Sequence, residues 1–150
     1  MLVYNIRKAK YAKSLKASGV ANRWNKQDEF IIYSGSSRAL SALELVVHRS
    51  GIQLYESYKV LIIEINARAA DIKEIKPGDL PVNWQSIAAY THLQKIGSDW
   101  YNEKKKLLLK VPSAIIPMEH NFLINTRHPK FETHVKIKDA EVFHWDDRLL

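Results

Sequence analysis

The sequence predicts a single α+β domain, and three observations lead there. Short β-prone apolar runs recur along the chain at Phe30 to Tyr33, Val60 to Ile65, Leu107 to Val111 and Asn121 to Asn125. Two other segments, Ser37 to His48 and about Gln85 to Ile96, carry apolar residues at helical spacing instead. The 150 residues show no repeat, low-complexity run or interdomain linker. A chain of that length divided in two would leave each half too small to bury much surface, so residues 1–150 are expected to share one core. Strands interleaved with two or three helices then give an α+β architecture, with central β-structure and a few flanking helices.

Taken in order, Leu2 to Ile6 alternates apolar and polar and reads as a first strand at a sheet edge. Lys8, Lys10, Lys13 and Lys16, with Tyr11 and Leu15 between them, read as a basic helix or loop with a solvated face. Ser18-Gly19 marks a turn, followed by Asn22-Arg23-Trp24-Asn25, a charged loop from Lys26 to Glu29, and the short buried strand Phe30 to Tyr33. Ser36 or Ser37 suits the N-cap of the first helix. Gly51 suits its close, with His48 and Arg49 complementing the helix dipole in the last turn. Val60 to Ile65 is the strongest strand and is expected at the centre of the sheet.

Lys76-Pro77-Gly78-Asp79 and Leu80-Pro81 are loop signals that lead into Trp84 and the second helix, which Gly97 is expected to end. Asp99 to Lys106 reads as a surface connection or short helix. Leu107 to Val111 is a strand stopped by Pro112, and Ser113 to Pro117 is expected to continue extended. Asn121 to Asn125 forms a further strand, broken at His128-Pro129. Val135 and Ile137 among lysines suggest an exposed edge strand, and Val142 to Trp145 a last one.

Composition narrows the function without choosing it. A formal charge of +7 and a pI near 9.5 suit a polyanion, an acidic protein or a phosphate-bearing small ligand. The absence of cysteine excludes a disulfide framework and a thiolate metal site. No apolar run approaches the ~20 residues of a membrane span, and the amino terminus turns basic at Arg7-Lys8, so the cytoplasm is the expected compartment. Phosphate-binding glycine loops, dinucleotide fingerprints and HExxH are missing, and the six histidines lack metal-type spacing.

The informative residue is Glu44. Leu40, Leu43, Glu44 and Val47 fall on one helical face, which sets a carboxylate on an apolar stripe. Buried and unpaired it would cost several kcal/mol by order of magnitude, so a cation or hydrogen-bond donors must meet it, or the face opens on a pocket. An i+4 pair with His48 or contact with a neighbouring arginine is the plainer alternative. Arg23 could present a fork of donors to a diphosphate or carboxylate, or merely pack on Trp24. Tyr33 reads equally as a core residue whose hydroxyl reaches water, and Ser113 as a local backbone partner.

Together these pieces resemble the RES domain, named for its arginine, glutamate and serine, the toxin half of a bacterial toxin–antitoxin pair. Asn22-Arg23-Trp24-Asn25, Ile32-Tyr33-Ser34, Ala39 to His48, Ile96-Gly97-Ser98-Asp99-Trp100, Val111-Pro112-Ser113-Ala114, Asn121 to Asn125 and Asp147-Arg148-Leu149 follow the family's order. The resemblance implies a fold similar to ADP-ribosyltransferase toxins and cleavage of the nicotinamide–ribose bond of NAD, which is a substrate here, with no metal. Water as acceptor gives a glycohydrolase and phosphate a phosphorylase, while a protein side chain makes an ADP-ribosyltransferase.

The family's catalytic and NAD-binding residues map onto Arg23, Tyr33, Glu44 and Ser113. Arg23 is expected on the diphosphate, Tyr33 beside the nicotinamide, Glu44 near its ribose and Ser113 bonded to substrate. A helix-turn-helix, Xre-type antitoxin is the implied partner, with no direct nucleic-acid binding outside that complex. Two departures are visible: Asn5, with Arg7 two residues on, where the family often has an arginine, and a shortened lead to Arg23 at Ala21-Asn22. The competing reading is a basic nucleic-acid-binding module using Lys8, Lys10, Lys13, Lys16 and Lys104 to Lys106 with aromatic stacking.

Overall fold

The computed structural model describes residues 1–47 and 52–150. Strands β1 (Leu2–Lys8), β2 (Ile31–Gly35), β3 (Tyr58–Ile65), β4 (Ile72–Glu74), β5 (Leu108–Pro112), β6 (His120–Asn125) and β7 (Val135–Phe143) form one sheet, ordered β4-β5-β6-β2-β1-β3-β7. Its pairs are antiparallel except β4 with β5. Helices α1 (Arg38–Val47), α2 (Tyr90–Glu103) and the short α3 (Phe131–His134) complete an α+β fold.

The sheet is covered on both sides, which is why its strands read as nearly continuous apolar runs. One face packs Val3, Ile32, Leu61, Ile63, Ile65, Leu108 and Ile124 into the main core. The opposite face is divided. Trp24, Leu93, Trp100, Leu109, Val111 and Leu123 pack together on the α2 side, whereas Ala42 and Leu45 of α1 pack on Ile6, Tyr58 and Val60. Where these two packings part, the sheet exposes a cleft.

The backbone deepens that cleft. β1 pairs with β3 over its whole length, from Leu2↔Glu64 to Lys8↔Tyr58, but meets β2 only at Tyr4↔Gly35. The first strand is therefore interior, not an edge: Val3 and Ile6 are buried, and the polar alternate Asn5 faces the cleft instead of open solvent. Beyond the single bridge the two strands splay. Arg7 organises the following segment by donating from Nη1 to the carbonyls of Tyr11, Ser14 and Lys16 at 3.4, 3.3 and 3.2 Å. The basic stretch is thus the end of β1, a 3₁₀ turn at Ala9–Tyr11 and a loop, without a regular α-helix.

Other expectations change for identifiable reasons. Gly97 does not end the second helix; α2 runs on through Asp99 to Glu103 and stops at Lys104, whose left-handed φ of 53° breaks the repeat. A Cβ at residue 97 would lie 1.7 Å from the Trp24 carbonyl oxygen, so this glycine serves a close approach. The strand expected at Val142 to Trp145 is the end of β7, continuous through a bulge opposite Ile62/Ile63. Val135 and Ile137 do lie on an edge strand, and β3 is interior, between β1 and β7. Ser113 to Pro117 bends instead of continuing extended, because the Ser113 hydroxyl gathers nearby backbone N–H groups and keeps them from a ladder. Strand β4, three residues at the other edge, had no apolar run to announce it. On α1 the residues turned most fully inward are Leu40 and Ser41, while Val47 is exposed. The expected close at Gly51, the dipole residues His48 and Arg49, and the Glu44–His48 pair lie outside the described residues.

Candidate active site

The cleft holds a cavity of about 150 Å³ whose lining includes Asn5, Arg23, Tyr33, Glu44 and Asn121. Each arrives from a different piece of chain, so its placement is a property of the fold. α1 brings Glu44. The Ser37 hydroxyl caps its first turn by accepting from Leu40 N at 3.0 Å, and Gly35 lets the helix lie close, since a Cβ there would meet the Ser41 hydroxyl at 2.6 Å. Ser41 Oγ lies 2.8 Å from the Tyr4 carbonyl, pinning α1 to β1.

The carboxylate of Glu44 is met by neutral donors. Ser113 Oγ donates to Oε1 at 2.8 Å and Asn121 Nδ2 donates to the same oxygen at 2.6 Å. Among the described residues no cation pairs with it. The sequence argument offered donors or a pocket as ways of tolerating this residue, and both are present. Ser113 is fully buried and does not line the cavity; it stands behind the glutamate, with its oxygen accepting from Ile115 N and Ile116 N, both at 3.1 Å.

Tyr33 turns its ring to the cavity and ties off its hydroxyl. That group donates to Asn25 Oδ1 at 2.7 Å and accepts from Trp24 N at 3.1 Å, so it does not reach water. Burial pushes the phenol above its ordinary range and keeps it neutral. Asn25 is itself buried and directs Nδ2 at the carbonyls of Val20 and Lys26, both at 3.0 Å. The buried Glu29 carboxylate holds the same loop against α2, accepting from Lys26 N at 2.6 Å and from the Ser98 hydroxyl. Tyr33, Asn25 and Glu29 thereby fix the loop that carries Arg23.

Arg23 does not pack on Trp24, which is buried in the α2 core. Its guanidinium lies over the Tyr90 ring, 4.8 Å from the centroid, and Nη1 donates to the carbonyls of Trp84 and Gln85 at 3.2 and 3.0 Å. Among the described residues Nε and Nη2 have no partner, so this cavity-lining arginine keeps N–H donors of the kind an anion takes. Asn5 spans the splay between β1 and β2: Nδ2 donates to the Tyr33 carbonyl at 2.7 Å, and Oδ1 accepts from Arg7 Nε at 2.6 Å. Arg7 spends its remaining contacts on loop carbonyls, leaving Arg23 as the guanidinium at the cavity.

The structure therefore gathers Arg23, Tyr33 and Glu44 around one cavity and places Ser113 outside it, bonded to Glu44. Sequence reasoning missed Asn121 and Asn25 as individual residues, although both lay in stretches it singled out. It also missed the contact made by Gly97. Among the described residues no group of three or more histidine, aspartate or glutamate side chains could hold a metal ion, and no helix is long and apolar enough to cross a membrane.

The seven-stranded sheet and its flanking helices define an α+β class that a solved structure shares. A chain of the M. tuberculosis MbcT–MbcA toxin–antitoxin complex superposes with a TM-score of 0.74 at 16% identity, over 95% of this chain and 84% of that one. Residues 2–146 match the RES domain family, and the chain belongs to it as a RES domain toxin. A protein named Toxin Res from Yersinia enterocolitica is 33% identical over 153 residues, covering 99% of each chain. A Prs ADP-ribosylating toxin from a Sphingobium species is 37% identical over 129 residues, 85% of this chain and 80% of that protein.

Proposed function

We propose that this toxin consumes NAD by breaking the bond between nicotinamide and ribose. The observation that carries the reading is Glu44, a carboxylate held by neutral donors at a cavity that also receives a guanidinium with unspent N–H groups. When the glycosidic bond breaks, its electron pair moves to the pyridinium nitrogen, nicotinamide leaves neutral, and positive charge grows on the ribose. A fixed carboxylate stabilises that oxocarbenium-like centre, and in a site with little water the effect is large. Arg23 binds the diphosphate, which favours a planar fork over a point charge. The Tyr33 ring flanks the nicotinamide. Its hydroxyl, already engaged, takes no proton in the reaction.

The acceptor then completes the balance. Water adds to the ribose carbon, loses a proton and yields ADP-ribose; phosphate yields the 1″-phosphate. Transfer to a protein side chain breaks the same bond, and the relative named as an ADP-ribosylating toxin favours that second reading. The superposed chain comes from a toxin–antitoxin complex, which supports an antitoxin partner for this chain as well, of the helix-turn-helix type that the family resemblance implies. The surplus of positive charge suits an acidic surface on such a partner.

Incubating the purified chain with labelled NAD alone, with phosphate, or with an added acceptor protein, and resolving the products, separates the acceptors. ADP-ribose without phosphate marks hydrolysis and the 1″-phosphate marks phosphorolysis. Label appearing only on added protein marks transfer. Intact NAD under all three conditions would contradict the reading.

A further inference from the structure

Asn121 and Ser113 act on one atom. Both donate to Glu44 Oε1, at 2.6 and 2.8 Å, and among the described residues nothing donates to Oε2. The two donors come from neighbouring strands. Asn121 lies on β6, paired with Val111 of β5 on one side and with Gly35 of β2 on the other, and Ser113 follows the end of β5. α1 lies close against the sheet at Gly35, so the helix carrying Glu44 is held over the strand pair that supplies both donors.

The serine is saturated by this arrangement. A hydroxyl has one hydrogen and two lone pairs. Ser113 Oγ accepts from two backbone N–H groups and sends its hydrogen to Glu44, which leaves nothing for a ligand. Asn121 uses one amide hydrogen on Oε1, and the residue lines the cavity. The terminal torsion of a glutamate is broad, so an unclamped carboxylate would sample many orientations.

We propose that Asn121 and Ser113 are positioning residues: a two-donor clamp on Oε1 that fixes the plane of the Glu44 carboxylate and keeps Oε2 for the substrate. This rests on the reading of Glu44 as the group that opposes the ribose cation. The clamp acts through Glu44 alone, so removing it lowers turnover and leaves NAD binding through Arg23 in place.

The test is a mutant cycle joined to a ligand-free measurement. Asn121→Ala, and Asn121→Asp as a shape-conserving second variant, should each lower kcat for nicotinamide release roughly tenfold to a hundredfold, the range of one charge-assisted hydrogen bond, with KM within about twofold. In a Glu44→Gln background the same changes should cost nothing further, because residues that act as one unit are non-additive. An unchanged kcat, or an equal loss in both backgrounds, would overturn the clamp.

Independently, the ¹H–¹⁵N signals of the Asn121 side-chain amide in the protein without NAD should exchange slowly with solvent and should move in Glu44→Gln. If they are insensitive to Glu44, the clamp is wrong whatever the activity. Should the wild-type chain release no nicotinamide, the NAD reading fails, and the amide signals still decide the geometry.

Discussion

Gly97 in the middle of α2 lies against the Trp24 carbonyl so closely that a Cβ would stand 1.7 Å from its oxygen. This contact brings the loop bearing Arg23 onto the helix, and backbone on both sides leaves little room to yield. Helix propensity alone would make Gly97→Ala stabilising by about 1 kcal/mol. The overlap opposes it with a cost of about 1–3 kcal/mol or more. Gly97→Ala is therefore expected to lower the melting temperature by several degrees and to weaken NAD binding by displacing Arg23. A raised melting temperature in a thermal scan would show that the loop does not sit on the helix in this way.

Arg23 tests the proposed binding of the diphosphate. Arg23→Ala should raise KM for NAD, or the Kd in a calorimetric titration, by at least tenfold. Arg23→Lys should recover little of it, because an ammonium cannot reproduce the stacked, forked geometry over Tyr90. Full recovery by lysine would reduce the role of Arg23 to charge alone.

Asn5 replaces with its side chain a hydrogen bond that β1 and β2 do not make through the backbone. Asn5→Ala is expected to cost about 1 kcal/mol, the usual worth of a neutral hydrogen bond, and to speed amide exchange along β2 around Tyr33. Exchange rates that match wild type would mean that the splay is held elsewhere.

Asp71 gives a pH signature remote from the cavity. Lys130 at 2.6 Å and the backbone N–H of Arg68 hold its carboxyl down to about 2, below its ordinary value. A depressed folded-state pKa stabilises the protein above the unfolded value of roughly 4, and that contribution is lost as pH falls towards 2. Lys130 is 34% exposed, so screening trims the effect to about 1–2 kcal/mol. Urea midpoints for wild type and Asp71→Asn should differ at pH 6, draw together below about pH 4 and converge only near pH 2. A constant gap would rule out the linkage.

The chain made its sheet legible because both faces are covered. Val60 to Ile65 and Leu107 to Val111 are apolar and β-prone but for Glu64 and Lys110, and could hardly be anything else. Glu44 was legible for the opposite reason, as a charge out of place on an apolar helix face. What stayed hidden depended on contacts between distant segments. Gly97 reads locally as a helix terminator, and only the approach of Trp24 shows why glycine stands inside the helix. Leu2 to Ile6 looks like an edge strand because Asn5 is polar, yet the polar residue faces a cleft between interior strands. Asn121 carries no signal of its own in a strand, since its significance is the distance to a glutamate on another element.

The central claim is that Glu44 opposes the charge that develops as nicotinamide leaves, and the most direct measurement is nicotinamide release by wild type and Glu44→Gln side by side, with a thermal melt of each. The substitution keeps the shape and the hydrogen-bonding reach while removing the charge. Turnover is expected to fall by roughly 10²-fold or more with the melting temperature held within a few degrees. Equal rates from two folded proteins would contradict the assignment.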